Sequence, residues 1–124
     1  MGLDMYARTL EQPPPKEVDF KLGEEQEHSQ IHYWRKHPNL HGWMEDLYYR
    51  KGGSAELFNC VTVALTSKDL DELEKSIRGQ ALPNTAGFFF GDSTGEEVED
   101  DLEFIAKARK AIEKGLFVFY DSWW

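Results

Sequence analysis

The N-terminal part of the chain alternates apolar and polar residues, which is the period-two pattern of a half-buried β-strand. The alternation predicts a first strand over Leu3–Thr9. One face carries apolar side chains and the other carries polar ones: Leu3, Met5 and Ala7 against Asp4, Tyr6 and Arg8. Two nearly continuous apolar runs predict a central strand over Phe58–Leu65 and a final strand over Leu116–Asp121. The terminal runs are too apolar to remain solvated, so we expect the first and last strands to share one sheet.

Three other segments repeat their apolar residues every three or four positions, as one face of an α-helix does. Proline at a first helical position, Thr caps and terminal glycines delimit them. The predicted boundaries are, in order, Pro38 to Gly52, Thr66 to Gly79, and Thr94 to Gly115. The core is predicted to include Leu40, Trp43, Leu47, Val61, Val63, Leu70, Leu73, Leu102, Ile105 and Phe117.

Two segments leave alternatives open. Residues 17–30 are polar and acidic, but Val18, Phe20 and Leu22 alternate, so either a short edge strand or a flexible loop fits. Gly87–Gly91 fits a short strand or an aromatic turn.

The whole pattern predicts a single α+β domain over residues 1–124, with residues 10–30 as a partly flexible connection. Its sheet would be small, mixed or antiparallel, with three to four strands and about three helices packed on it.

Composition narrows the class of function. The chain has 124 residues and a formal net charge of −9, from 23 acids and 14 bases. This sign disfavours nucleic-acid binding, which needs Lys and Arg to neutralise phosphates. The longest apolar stretches fall short of a membrane span, and the lone Cys60 gives no internal disulfide, so we expect a cytoplasmic protein with a buried, inert thiol. No cofactor is implied.

The segment Tyr33–Trp43 surrounds the predicted start of the first helix and contains the strongest candidate site. Arg offers a fork for an anion, helix N–H groups add donors, and an aromatic ring offers a stacking face. The residues expected to bind a small, planar, anionic ligand are Asp4, Trp34, Arg35, Asn39 and His41. The alternative is structural, with the tryptophans in the core and the cations paired with nearby acids. The four histidines, at 28, 32, 37 and 41, have i, i+4 spacings, but Pro38 interrupts any common helix, so no metal site is predicted.

Several motifs together resemble a family of small proteins encoded by bacteriophages and prophages. These are Met1–Tyr6 (Met-Gly-Leu-Asp-Met-Tyr), Tyr33–Lys36 (Tyr-Trp-Arg-Lys), Gly87–Gly91 (Gly-Phe-Phe-Phe-Gly) and a closing aromatic, Ser and Trp. His37-Pro38 and the acid at Asp121 depart from the family pattern. The resemblance implies a phage origin and action in the host cell cytoplasm. It does not indicate which activity the protein has.

Three functions are compatible with these observations. The first is capture of a small anionic, nucleotide-like ligand, which would sequester a host defence signal. The second is inhibition of a host protein by an acidic protein that binds a basic surface. The third is a small hydrolase with His41 as general base. The first is the function that the sequence favours, with no catalytic residue assigned and the oligomeric state open.

Overall fold

A computed structural model of the chain describes residues 2–21, 28–83, 85 and 97–124. These residues form four strands and three helices in an α+β arrangement, as the sequence predicts. In chain order the elements are β1 (Asp4–Leu10), β2 (His28–Arg35), α1 (Pro38–Arg50), β3 (Val63–Leu65), α2 (Ser67–Arg78), α3 (Val98–Glu113) and β4 (Phe117–Trp123). No helix among the described residues is long and apolar enough to cross a lipid bilayer.

The sheet is antiparallel throughout, with the strand order β2-β1-β4-β3. β1 pairs with β4 along its whole length, from Asp4 opposite Trp123 to Leu10 opposite Phe117. The first and last strands therefore lie side by side in one sheet, which confirms that expectation. β4 also extends two residues beyond the predicted end, because Ser122 and Trp123 continue its pairing with β1.

Strand β2 corrects the sequence analysis, which allowed an edge strand at Val18–Leu22. In the described part of that segment, Val18 makes only an isolated bridge to Val63, and Leu22 lies outside the described residues. The edge strand is instead His28–Arg35, with a register shift opposite Ala7 and Arg8. Its buried side chains include His32. Because histidine is polar, the segment lacks the alternation of apolar and polar residues that identifies a strand in a sequence.

The starts of the three helices can be compared with the starts that the sequence predicts. α1 begins at Pro38, as predicted. α2 begins after Thr66, whose hydroxyl accepts from the Asp69 N–H while the Asp69 carboxylate accepts from the Thr66 N–H, a reciprocal capping box. α3 begins at Val98, and the predicted cap Thr94 lies outside the described residues, as does Gly87–Gly91.

Strand β3 is shorter than predicted and lies at the edge of the sheet, not at its centre. The chain before it is irregular because Cys60 has a left-handed backbone, with φ of 58°, and donates its N–H to the Ser122 carbonyl. Cys60 is consequently exposed, which contradicts the expectation of a buried thiol.

The main core lies between the helices and one face of the sheet, which we call the inner face. Most of the predicted core residues are buried there. Val61 and Leu102 are half-buried at its margin, and Phe117 is 38% exposed because it lies on the opposite face at the start of β4. A second, small cluster covers one end of that opposite face and consists of Leu10, Phe20, Ala64 and Phe119.

Candidate functional site

The uncovered part of the sheet is a mixed aromatic and charged surface, which we call the outer sheet face. Strand alternation places its side chains there, because the residues between them on each strand are buried against the helices. The outer sheet face consists of Asp4, Tyr6 and Arg8 on β1, Tyr33 and Arg35 on β2, and Asp121 and Trp123 on β4.

All of these side chains except that of Trp123 form a connected chain of contacts across three strands. The Arg8 guanidinium donates to the Asp121 carboxylate at 2.7 Å and lies 4.6 Å from the centre of the Tyr6 ring. The rings of Tyr6 and Tyr33 are 5.4 Å apart. The network holds both rings in place before any partner arrives.

The network ends at a second pair of opposite charges. The Tyr33 hydroxyl donates to Asp4 Oδ1 at 2.5 Å, and this hydrogen bond raises the pKa of Tyr33 above its ordinary value. Arg35 Nη1 lies 3.9 Å from the same Asp4 oxygen. Tyr33 remains 43% exposed and Trp123 67% exposed. The outer sheet face therefore exposes large aromatic side chains, and the polar side chains beside them are paired with one another.

Trp34, the neighbour of Arg35, points the other way. It is buried, and its indole N–H donates to Asp101 Oδ1 at 3.0 Å. His37 Nε2 contacts the other carboxylate oxygen of Asp101 at 2.8 Å. Asp101 is 1% exposed, so this buried carboxylate joins β2, the start of α1 and the first turn of α3. Trp34 cannot stack on a ligand beside Arg35.

His41 lies in the core. It is fully buried, its Nδ1 is 2.7 Å from the Tyr120 hydroxyl, and its ring packs on Phe58. Burial lowers the pKa of His41 to about 4, although the backbone of Phe58 acts in the opposite direction. The same burial raises the pKa of Tyr120. This geometry offers no path by which His41 could act on a substrate in solvent, and a base role gains no support from it.

Asn39 occupies a third location, at the start of α1. Its side-chain oxygen accepts from the backbone N–H of Thr85 at 3.0 Å. Thr85 also lies against Gly42, where a Cβ would come within 1.9 Å of the Thr85 hydroxyl. Asn39 thus binds Thr85 to the start of α1, and glycine at position 42 makes the close approach possible.

The structure therefore brings together two of the five predicted site residues, Asp4 and Arg35. Among the described residues, the side chains of Arg35, Asn39 and His41 face three different places. Adjacent residues of a strand face opposite ways, so Trp34 and Arg35 separate. Asn39 and His41 are two residues apart on a helix, which turns them about 200° from each other. Whether Asp4 and Arg35 bind a ligand stays a prediction.

Tyr33 and Trp123 belong to this surface but were not among the predicted site residues. The alternation in β1 already placed Tyr6 and Arg8 beside Asp4 on one face, as the structure confirms. Applying the same period to residues 31–35 would have placed Tyr33 beside Arg35 and opposite Trp34.

One group of possible metal ligands occurs among the described residues, formed by His32, Asp100 and Glu103. Its donor atoms lie within 4.8 Å of one another. However, Lys107 Nζ is 3.2 Å from His32 Nδ1, and an ammonium group can only donate. His32 Nδ1 then accepts, and its proton sits on Nε2, which faces Asp100 at 3.1 Å. These side chains and Lys107 therefore form a cluster of polar and charged groups that contact one another. A metal ion could bind His32 only if Lys107 moved away from the ring.

The outer sheet face has the chemistry of a recognition surface. It offers aromatic area, two guanidinium groups and two carboxylates, and it contains no buried nucleophile or base. Comparison of the chain with protein-family models, with curated proteins and with solved structures gives no match.

Proposed function

We propose that the protein is an accessory protein that binds a partner protein through its outer sheet face. The observation that carries the proposal is the connected network of Tyr6, Tyr33, Arg8 and Arg35 beside the exposed Trp123. Tyr, Trp and Arg are the residues enriched at the energetic centres of protein interfaces. Their mutual contacts fix their rotamers, which reduces the entropy lost when a partner binds.

The charge of the chain favours a basic partner. Arg8 and Arg35 are opposed by Asp121 and Asp4 on the same face, so the face has little net charge of its own. The chain as a whole carries −9 and attracts a cationic surface over a longer range. The same charge makes two copies of the chain repel each other, which argues against self-association through this face. If the motifs reflect phage origin, the partner is a host protein and the outcome is its inhibition.

Capture of a nucleotide-like ligand has weaker support. The five residues expected to form its pocket point to three separate places, and the outer sheet face is open. A planar anion could still lie on Tyr33 beside Arg35, but the Asp4 carboxylate would oppose its charge.

Site-specific photocrosslinking in bacterial cells that produce the protein tests the proposal. A benzoylphenylalanine replaces either Trp123, which is 67% exposed on the outer sheet face, or Tyr49, which is 42% exposed on α1 in the helical layer on the other side of the sheet. We expect one discrete adduct with another protein from position 123 and none from position 49. Tyr33→Ala, which removes an aromatic contact without changing the charge, should abolish the adduct. Because the proposed partner is basic, added salt should reduce the adduct yield in lysate.

Two results would contradict the proposal. Equal adducts from positions 49 and 123 would show that capture is non-specific. An adduct containing only two copies of the chain would show that the face serves self-association.

A further inference from the structure

A cavity of about 470 Å³ lies at the opposite end of β4 from Trp123. The end of α3 and the starts of β4 and α2 form its inner walls, and residues 13–17 form its outer wall. Its volume falls within the range of small-molecule sites, roughly 300–1,000 Å³. It is separate from the outer sheet face and is independent of the function proposed above.

The cavity is lined mostly by apolar side chains, and two prolines lie in its wall. Its apolar lining includes Leu65, Ile112, Leu116 and Val118. Pro13 and Pro14 have fixed φ angles and cannot donate a backbone N–H, so they stiffen the outer wall. A ligand here would bury apolar surface, and each buried methylene contributes about 0.8 kcal/mol.

One positively charged side chain, that of Lys16, lies at the rim of the cavity and interacts electrostatically with Asp19. Glu17 lies 3.2 Å from Lys51, which also pairs with Asp69. The N–H groups of Thr66 and Asp69 are used in the capping box of α2. Within the described part of the chain, Lys16 has no carboxylate within 4.0 Å. A cation beside an apolar cavity suits a ligand with an apolar body and an anionic end.

We propose that this cavity binds a small amphipathic anion of the medium-chain carboxylate class. The chain of the ligand occupies the space between Leu65, Ile112 and Leu116, and its carboxylate lies at Lys16. The proposal stands on the cavity, its apolar lining and the lysine ammonium group at its rim.

The test compares three ligands that share one chain and differ at the head: decanoate, decanol and decyltrimethylammonium. Each is titrated into the protein below its micelle concentration, and amide NMR shifts are followed. We expect saturable binding with shifts at residues 64–67 and 115–118. Decanoate should bind about five-fold more tightly than decanol, as one exposed ion pair allows, and the cation most weakly.

Two variants and a control locate the site. Lys16→Ala should remove the preference for decanoate over decanol, whereas Lys110→Ala, an exposed lysine that does not line the cavity, should preserve it. Leu116→Trp should fill the cavity and weaken both ligands, with an unchanged thermal midpoint showing that the variant is folded. Absence of saturable binding, equal affinity for the cation, or no effect of Leu116→Trp in a folded variant would overturn the proposal.

Discussion

The inner and outer faces of the sheet are built from alternate residues of the same strands, yet their polar groups have different surroundings. On the inner face, Asp101 and His41 are buried, and their partners come from distant elements. On the outer sheet face, Arg8, Tyr33 and Arg35 contact neighbouring strands and remain partly exposed. A buried polar group is costly to leave without its partner, whereas an exposed one regains water. The inner polar groups therefore maintain the fold, and the outer ones are available to a partner.

Removing the Asp101 carboxylate should produce the largest loss of stability. Asp101→Ala leaves the buried Trp34 N–H and the His37 ring without their shared acceptor, so the free energy of unfolding should fall by about 3–5 kcal/mol. Urea denaturation measures this change. The matched control is Asp100→Ala in the same turn of α3, because the Asp100 side chain is half exposed and lies 3.1 Å from His32 Nε2. It should lose at most about 1 kcal/mol. Similar losses for the two variants would show that burial does not separate the two acids.

Acid should weaken the inner face through His41. Burial lowers the pKa of His41 to about 4 in the folded protein, from an ordinary value of 6.5. Between these values the unfolded chain binds a proton that the folded protein does not, so stability falls as pH decreases from 6.5 toward 4. The loss from this group should reach about 3 kcal/mol at pH 4.

The difference in unfolding free energy between wild type and His41→Gln isolates this contribution. Gln keeps a hydrogen-bonding side chain opposite Tyr120 but does not titrate. Relative to the variant, wild type should lose stability on acidification, while both share the titration of all other groups. Parallel pH curves for the two proteins would mean that His41 is not buried in its neutral form.

Changes on the outer sheet face should have much smaller effects on stability. Arg8→Ala removes an ion pair with Asp121 and a contact with the Tyr6 ring, both partly exposed. The free energy of unfolding should fall by no more than about 1 kcal/mol, since exposed ion pairs contribute little. Urea denaturation at low and high salt would check this, with the difference shrinking as salt increases. A loss as large as that of Asp101→Ala would assign the outer network to the fold.

Much of the fold could be predicted because its signals are local. The alternation of β1, the apolar run of β4, the proline that opens α1 and the capping box of α2 each lie within a few residues, and each is confirmed. β2 was missed because its buried side chains carry polar atoms, and those atoms find partners only in the tertiary structure.

The candidate site could be predicted only in part. Asp4 and Arg35 lie opposite each other on neighbouring strands, so these two of the five expected residues are close together. The other expected members, Trp34, Asn39 and His41, are close together in the sequence. In the structure, side chains alternate between the two faces of a strand and rotate by about 100° per residue around a helix, so these three point in different directions. The contact between Trp34 and Asp101 spans 67 positions in the chain, and no local pattern indicates it.

The most direct test of the functional account measures binding and stability on the same variant. Trp123→Ala should weaken the affinity for the crosslinked partner by about 30-fold, the effect of an interface hot spot of about 2 kcal/mol. Its free energy of unfolding should change by less than about 1 kcal/mol, as for an exposed surface substitution. Tyr49→Ala, which removes an exposed aromatic side chain from α1, should leave the affinity unchanged. Unchanged affinity in Trp123→Ala, or equal weakening in both variants, would contradict the assignment of the outer sheet face as the binding surface.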